Sequence, residues 1–332
     1  MKPWFKVVLV SIVFIECSVI AYFGYSLYLR KKIGKNVLSA VTVVPIRNEY
    51  LISSPSAELL YFYEPAPNMV EEDQPSWLPY KAVCSINADT LNDRYNYSVE
   101  KPPSTFRIIT LGDSFTFGVY VNTGDNWTEL LEDMLNAHCK TKDIQNIEVI
   151  NLGVVGYDVQ YIARRYKIRG VKYHPDLIIY LESSSGFERL MDLYEPLIKK
   201  YKQSLTQEEK SEARQKNDYS LAWTKTQEEI SRRYSQEQIF EQVHAAWQDF
   251  FQIKGLTKVV IGTFSNISSQ DKSKLKVWTA GQPKVNLYFG IRDIYTNDGA
   301  LPDGHPNKHG HAMIAEDIFT YLKNNGIVTC GK

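Results

Sequence analysis

The chain has 332 residues, 44% hydrophobic and 23% charged, which is enough for a sizeable core and unlike a disordered chain. Its 38 basic residues are balanced by 38 acidic ones, and no basic stripe interleaves with aromatic residues. Nucleic acid is therefore not an expected partner.

The first apolar run is VVLVSIVFIECSVIAYFGYSLYL, Val7 to Leu29, with one charge at Glu16. It is long enough to cross a bilayer as a helix. It ends in aromatic residues and Arg30, Lys31 and Lys32 rather than at a small-residue cleavage site, so an uncleaved anchor is favoured over a signal peptide. Residues 1–6 form an N-terminal tail. Lys2 and Lys6 face Arg30, Lys31, Lys32 and Lys35 across the segment, and the basic count alone leans toward a cytoplasmic body. With Cys17 inside the anchor, Cys84, Cys139 and Cys330 remain, which allows at most one disulfide and has no metal-like spacing.

Within residues 30–104, positions 36–104 alternate short apolar pieces with proline-rich punctuation (SSPS, EPAPN, EDQPSWLP, EKPPS). This pattern reads as a juxtamembrane extension packed on something else. From Thr105 the pattern changes. Apolar runs of strand length, FRIITLG, IEVINLG, PDLIIYLE and TKVVIGTF, alternate with helical periodicity. Trp127 to His138 places Leu130, Leu131, Met134 and Leu135 on one face, and a second helix is expected around Val159, Ile162, Ala163 and Tyr166. Repeated strand–helix–strand units imply a parallel α/β sheet covered on both faces.

Between about Gly186 and Glu241 a charged, helix-favouring stretch interrupts the alternation, longer than an ordinary crossover. It reads as a helical insertion, either a solvated helical pair or a lid or protein-partner surface. The crossover helix is expected to resume over Ile239–Phe251. A final helix over Ala312–Lys323 carries Ile314, Ala315, Ile318, Phe319 and Leu322 on one stripe and stops at Asn324-Asn325-Gly326. The catalytic domain is thus expected over 105–326, with the insertion at 186–241 and a C-terminal tail at 327–332.

Three stretches carry candidate chemistry. LGDSFTFG ends the first strand of the alternating region, where an open α/β sheet binds ligands, and sets Ser114 near a helix N-terminus with free N–H groups. VINLGVVGYD ends the second and contributes Gly153 and Gly156, which let a backbone amide approach a ligand as an oxyanion hole requires. Asp303-Gly304-His305 lies in the loop before the last helix, on the same edge, so His305 can reach Ser114. A carboxylate orienting an imidazole that deprotonates a serine is the arrangement of acyl transfer. No cofactor is expected, because neither a full Gly-x-Gly-x-x-Gly nor a Walker-type loop is present. No metal is expected either: Pro306 and Gly310 disfavour a helical histidine face, and no third ligand is evident near His305, His309 and His311. His309 and His311 are expected as helix-start surface or capping residues.

Together these stretches resemble the SGNH (GDSL-type) hydrolase family over about Phe106 to Leu322. Gly112-Asp113-Ser114-Phe115-Thr116-Phe117-Gly118 matches its first block, Asn151-Leu152-Gly153 its second, and Asp303-Gly304-His305-Pro306-Asn307 with Gly310-His311 its last. The resemblance implies a flavodoxin-like three-layer α/β/α fold with a central parallel sheet. It also implies a serine esterase or O-acyl transferase acting on an acyl-ester substrate, with a surface glycan ester among the candidates. Ser114, His305 and Asp303 would be catalytic, and the Ser114 and Gly153 amides would hold the oxyanion. Where the family carries Gly-x-Asn-Asp after the third strand, this chain reads LESSSGFE. The family's Asn is the third oxyanion donor, so Ser184 or Ser185 is expected to substitute, another residue swings in, or two donors remain. A catalytically silent binding or assembly protein is the alternative expectation. FYEPAPN and SINADTLNDR in the extension resemble the segment preceding the domain in membrane-anchored bacterial members, which implies a single-pass protein with its body outside the cytoplasm, in the periplasm or at the cell surface.

Overall fold

The computed structural model describes residues 51–53, 59–183, 185–216 and 219–330. All fall within one compact unit spanning 43–332. The anchor expected over Val7–Leu29 lies outside the described residues, and among the described ones no helix is long and apolar enough to cross a membrane.

The proline-punctuated extension carries short strands in two antiparallel pairs: β1 (Leu51–Ser53) with β2 (Tyr63–Pro65), and β3 (Met69–Asp73) with β4 (Ala82–Ile86). Along β4 the two-residue period of a strand buries Ala82, Cys84 and Ile86. With Leu78 they pack against Phe117, Val119, Tyr120 and Val155 of the next segment. Ion pairs add directional ties. Glu64 of β2 is buried against Arg165 and bonds Arg169 at 2.9 Å, while Arg94 bonds Glu129 and, at 2.8 Å, Asp133. Losing either partner of the buried Glu64–Arg165 pair would strand a desolvated charge, so this pair fixes where the extension docks.

Downstream, β5 (Thr105–Leu111) leads to α1 (Ser114–Phe117) and α2 (Trp127–His138), and β6 (Asn146–Asn151) to α3 (Val159–Arg165). After β7 (Leu177–Glu182) come α4 (Met191–Ser204), α5 (Gln207–Lys216) and α6 (Ser220–Arg233) of the insertion, then α7 (Gln236–Lys254). The chain continues through β8 (Lys258–Phe264), α8 (Ser269–Thr279), β9 (Val285–Ile291) and α9 (Lys308–Asn324). The five strands from β5 onward pair in parallel in the order β6-β5-β7-β8-β9, the flavodoxin-like order. Connections change direction beside β5, so a crevice opens outside the carboxyl ends of β5 and β7, where ligands bind in such sheets.

Successive strand residues face opposite layers. Ile109, Leu111, Ile178 and Tyr180 meet Trp247 and Phe250 of α7 and Trp278 of α8. Ile108, Val149, Ile179 and Val260 meet Trp127, Leu131 and Leu135 of α2 and Ile314, Ile318 and Leu322 of α9. On that second layer Cys139, just past α2, forms a disulfide with Cys330, beyond α9. The remaining described cysteine, Cys84, is free, and burial pushes its thiol up to about 12.

Three elements depart from the sequence expectation. The fifth sheet strand, β9, was not foreseen, because at the sheet edge it is only half-buried and its sequence VNLYFGI lacks an unbroken apolar run. The crossover helix α7 begins at Gln236 rather than Ile239, since Ser235 and Gln238 form a reciprocal capping box. The last helix begins at Lys308 rather than Ala312. Asn307 accepts the Gly310 N–H at 2.9 Å, and this cap offsets the roughly 1 kcal/mol that a helical glycine costs.

Candidate active site

The nucleophile position is built by a short, tightly capped turn. Asp113 caps α1 by accepting the Phe115 N–H at 3.0 Å, and Gly118 ends the helix in the left-handed region at φ 84°. The four-residue helix cannot satisfy its own last carbonyls. Asn126 donates to Thr116 O at 3.0 Å and Phe117 O at 2.8 Å, and Asn92, from the extension, donates to Phe117 O at 2.7 Å. Ser114 is the first helical residue, 8% exposed. Its N–H donates to no described residue, as the first helical position allows.

The loop before α9 brings the base. Leu301 N–H donates to His305 O at 2.7 Å and Gly304 N–H to Leu301 O at 2.9 Å, folding Asp303 back onto His305. Asp303 then accepts from the His305 backbone N–H at 3.1 Å and faces the ring Nδ1 at 2.8 Å. The other ring nitrogen, Nε2, lies 2.8 Å from Ser114 Oγ. With the ring proton assigned to Nδ1, opposite the carboxylate, Nε2 is left to accept the serine proton. The rings of Phe115 and Tyr120 flank the imidazole at centroid distances of 5.4 and 5.9 Å, so its orientation is held by packing as well as by Asp303. Ser114, His305 and Asp303 thus form one continuous relay across 191 residues of chain.

The neighbouring histidines go elsewhere. His309 is exposed on α9. His311 is not at the surface and does not cap its own helix: it is fully buried and its Nδ1 accepts the Trp127 N–H at 3.2 Å, at the start of α2. Burial, reinforced by His305, lowers its pKa to about 3, so it is neutral. Among the described residues no cluster of His, Cys, Asp or Glu is arranged to hold a metal ion.

The oxyanion side differs from the expectation. The Gly153 N–H donates to Asn151 Oδ1 at 2.9 Å, so this amide is already engaged. The glycine is required there for another reason, since a Cβ would lie 2.4 Å from Phe117 N and 2.6 Å from Thr116 C, where α1 packs on the loop. Three residues on, Gly156 has φ +81°, a backbone state open to glycine, is partly exposed, and its N–H donates to no described residue. Its loop is tied to the nucleophile loop by Val154 N–H donating to Gly112 O at 3.3 Å and by Val155 packing with Phe117 and Tyr120. Among the described residues the Ser114 and Gly156 amides on this edge have no acceptor, and of the two loop glycines only Gly156 leaves its N–H free.

After β7, Ser183 Oγ donates to Asp113 Oδ2 at 2.5 Å, joining this loop to the cap of α1. Ser184 lies outside the described residues, and of Ser185 only the backbone is described, opening the 3₁₀ turn Ser185–Phe187. A cleft of about 290 Å³ opens between Tyr80, Lys81, Val121, Asn122, Asp125 and Lys308, none of them a relay residue. Tyr80, one of its walls, donates its hydroxyl at 3.0 Å to the backbone O of Tyr120, whose ring flanks the imidazole. Sequence reasoning missed Asn92 and Asn126, and of the two glycines it singled out it gave the oxyanion to Gly153 rather than Gly156. Asn92 lay in the SINADTLNDR stretch already singled out, but nothing in that string tells which atom its amide would reach.

Fold and site together define a serine–histidine–aspartate relay at the switch point of a flavodoxin-like sheet. No family model matches the chain, and no curated protein does. Solved structures align with it distantly. TesA gives a TM-score of 0.40 at 13% identity, covering 66% of this chain and 98% of its own. The psychrotrophic esterase EstA from Pseudoalteromonas sp. gives 0.39 at 14% identity, covering 67% and 98%. The acetyl xylan esterase AlAXEase gives 0.38 at 15% identity, covering 66% and 100%. Likenesses this distant assign no chemistry, which rests on the geometry of the site.

Proposed function

We propose that this chain is a serine esterase or O-acyl transferase of the SGNH (GDSL) type. The observation that carries the reading is the relay itself, with Ser114 Oγ and His305 Nε2 at 2.8 Å and His305 Nδ1 and Asp303 Oδ2 at 2.8 Å. Ser114 Oγ attacks the ester carbonyl carbon while its proton passes to His305 Nε2. The carbonyl oxygen becomes an oxyanion received by the Ser114 and Gly156 amides, each such donor being worth about 10²–10³ in rate. Collapse of the tetrahedral species breaks the bond to the alcohol oxygen, which leaves with the proton from His305. Water, or a second alcohol in a transferase, then gives its proton to His305 and attacks the acyl carbon; collapse breaks the bond to Ser114 Oγ, which takes the proton back from His305 as the acid or the new ester leaves.

The alcohol must leave on the histidine side, because its proton comes from Nε2. The cleft bounded by Tyr80, Lys81, Val121, Asn122, Asp125 and Lys308, where Lys308 pairs with Asp125 at 2.7 Å, is the candidate for that side.

The reading extends to location. A Cys139–Cys330 disulfide is the habit of an oxidising compartment, which supports a body outside the cytoplasm and weighs against the basic-residue count around the Val7–Leu29 anchor. The helical insertion remains a candidate protein-partner surface.

The test is hydrolysis of an aryl acetate by the parent and by Ser114→Ala. Turnover should fall at least about 10⁴-fold in the variant, with an unchanged circular dichroism spectrum, because the Ser114 hydroxyl bonds His305 and holds no element of the fold in place. Retained turnover in Ser114→Ala would contradict the serine mechanism.

A further inference from the structure

The loop that offers the Gly156 amide is gripped from behind by the extension. Tyr63, on β2, donates its hydroxyl to Val155 O at 2.8 Å, a buried bond spanning 92 residues. The Val155 carbonyl and the Gly156 N–H are the two ends of one peptide unit. That unit is planar and rigid, so a bond that fixes the direction of its oxygen fixes the direction of its N–H. Donation into the carbonyl also polarises the amide and strengthens its N–H as a donor.

We propose that Tyr63 is a positioning residue for catalysis, aiming and polarising the Gly156 N–H toward the oxyanion through the Val155–Gly156 peptide. The inference rests on the reading of Ser114 as nucleophile, and it places a determinant of rate in the extension, outside the domain that holds the relay.

The geometry distinguishes this bond from ordinary core satisfaction. One end of the peptide is pinned by a distant side chain, while the other has no acceptor among the described residues and sits on the partly exposed edge that adjoins α1. Tyr63 is itself immobilised. Its ring meets Tyr157 and Tyr161 edge-on at centroid distances of 5.4 and 5.8 Å, and its carbonyl accepts the Tyr157 hydroxyl. Asp192 of the insertion takes the Tyr161 hydroxyl at 2.6 Å and the Leu60 and Tyr61 N–H groups at 3.1 and 3.3 Å, anchoring the segment that leads into β2. Arg189 holds the other flank of the loop by donating to Tyr157 O at 3.2 Å. Burial, with Glu195 and Tyr157 nearby, raises the Tyr63 hydroxyl well above its ordinary range, so it remains a donor throughout any working pH.

The test is Tyr63→Phe in the full chain, which removes one hydroxyl and keeps the ring. With an aryl acetate and active sites counted by a fluorophosphonate, kcat per site should fall about 10-fold, less than the about 10²–10³ for deleting an oxyanion donor outright, because the Gly156 N–H is loosened rather than lost. KM should stay within about twofold, since the effect belongs to the transition state. Affinity for a boronate analogue of the tetrahedral intermediate should weaken by the same factor as kcat. A purely structural tyrosine would lower the melting temperature and leave kcat per titrated site unchanged, and that result overturns the inference while leaving the esterase reading intact. A parent with no Ser114-dependent turnover overturns both.

Discussion

On one side of Ser114, the proton-moving groups come from a single loop, in which Asp303 and His305 are two residues apart and close their hydrogen bonds within that loop at 2.8 and 3.1 Å. On the other side, the Gly156 amide that would meet the oxyanion belongs to a loop held from three directions. Tyr63 of the extension takes Val155 O, Arg189 of the insertion takes Tyr157 O, and Asn151 takes Gly153 N–H. The first half needs only the sheet to bring two strand ends together. The second needs the extension and the insertion docked. A site divided in this way has a proton relay set by local sequence and an electrostatic half set by long-range packing.

Mutations should therefore separate the halves. The largest effect after loss of the nucleophile is expected from Asp303→Asn, which keeps the shape of the loop but no longer holds the proton on Nδ1. Turnover should drop about 10³–10⁴-fold, with KM little changed, in steady-state assays on an aryl acetate. An effect no larger than the 10-fold expected for Tyr63→Phe would break the distinction drawn between the halves.

A smaller effect concerns how the extension is held. Next to Asp93 and Arg94 lies a buried carboxyl cluster in which Glu132 Oε2 accepts the Val149 N–H at 2.7 Å and the Tyr97 hydroxyl at 3.2 Å. Burial, with the Glu129 carboxylate nearby, raises Glu132 from 4.5 to about 7, and burial also raises Asp93 and Glu129. The folded protein holds the Glu132 proton more tightly than the unfolded chain. Its stabilising contribution is thus fully present below the unfolded value of 4.5 and is lost as pH rises toward about 7. Glu132→Gln keeps the accepting oxygen and removes the titration. Relative to the parent, the variant should gain roughly 2–4 °C in melting temperature between about pH 5 and about pH 8, measured by calorimetry. A constant difference across that range would show that Glu132 does not hold the extra proton.

The same division explains what could be read in the sequence. Ser114 and His305 were legible because Gly-Asp-Ser at a strand end and Asp-x-His before a helix are local patterns, and the apolar runs of β5, β6, β7 and β8 announced the sheet. Gly153 and Gly156 are indistinguishable as letters in NLGVVGYD. Only the bond from Gly153 to Asn151 and the positive φ of Gly156 separate the engaged amide from the free one. His311 looked like a surface residue because the start of α9 was set too late, beyond the Asn307 cap. Tyr63 lay in the FYEPAPN string already singled out, but nothing in that string tells that its hydroxyl reaches a carbonyl 92 residues away.

The central claim is that Ser114 is a covalent nucleophile made reactive by His305. The most direct test treats the full chain with a fluorophosphonate and maps the adduct by peptide mass spectrometry, in the parent and in His305→Ala. One adduct per chain is expected on the peptide containing Ser114, with labelling slowed at least about 100-fold in His305→Ala, in line with the general-base contribution of a histidine. An adduct on a different residue, or labelling of Ser114 at the parent's rate without His305, would contradict it.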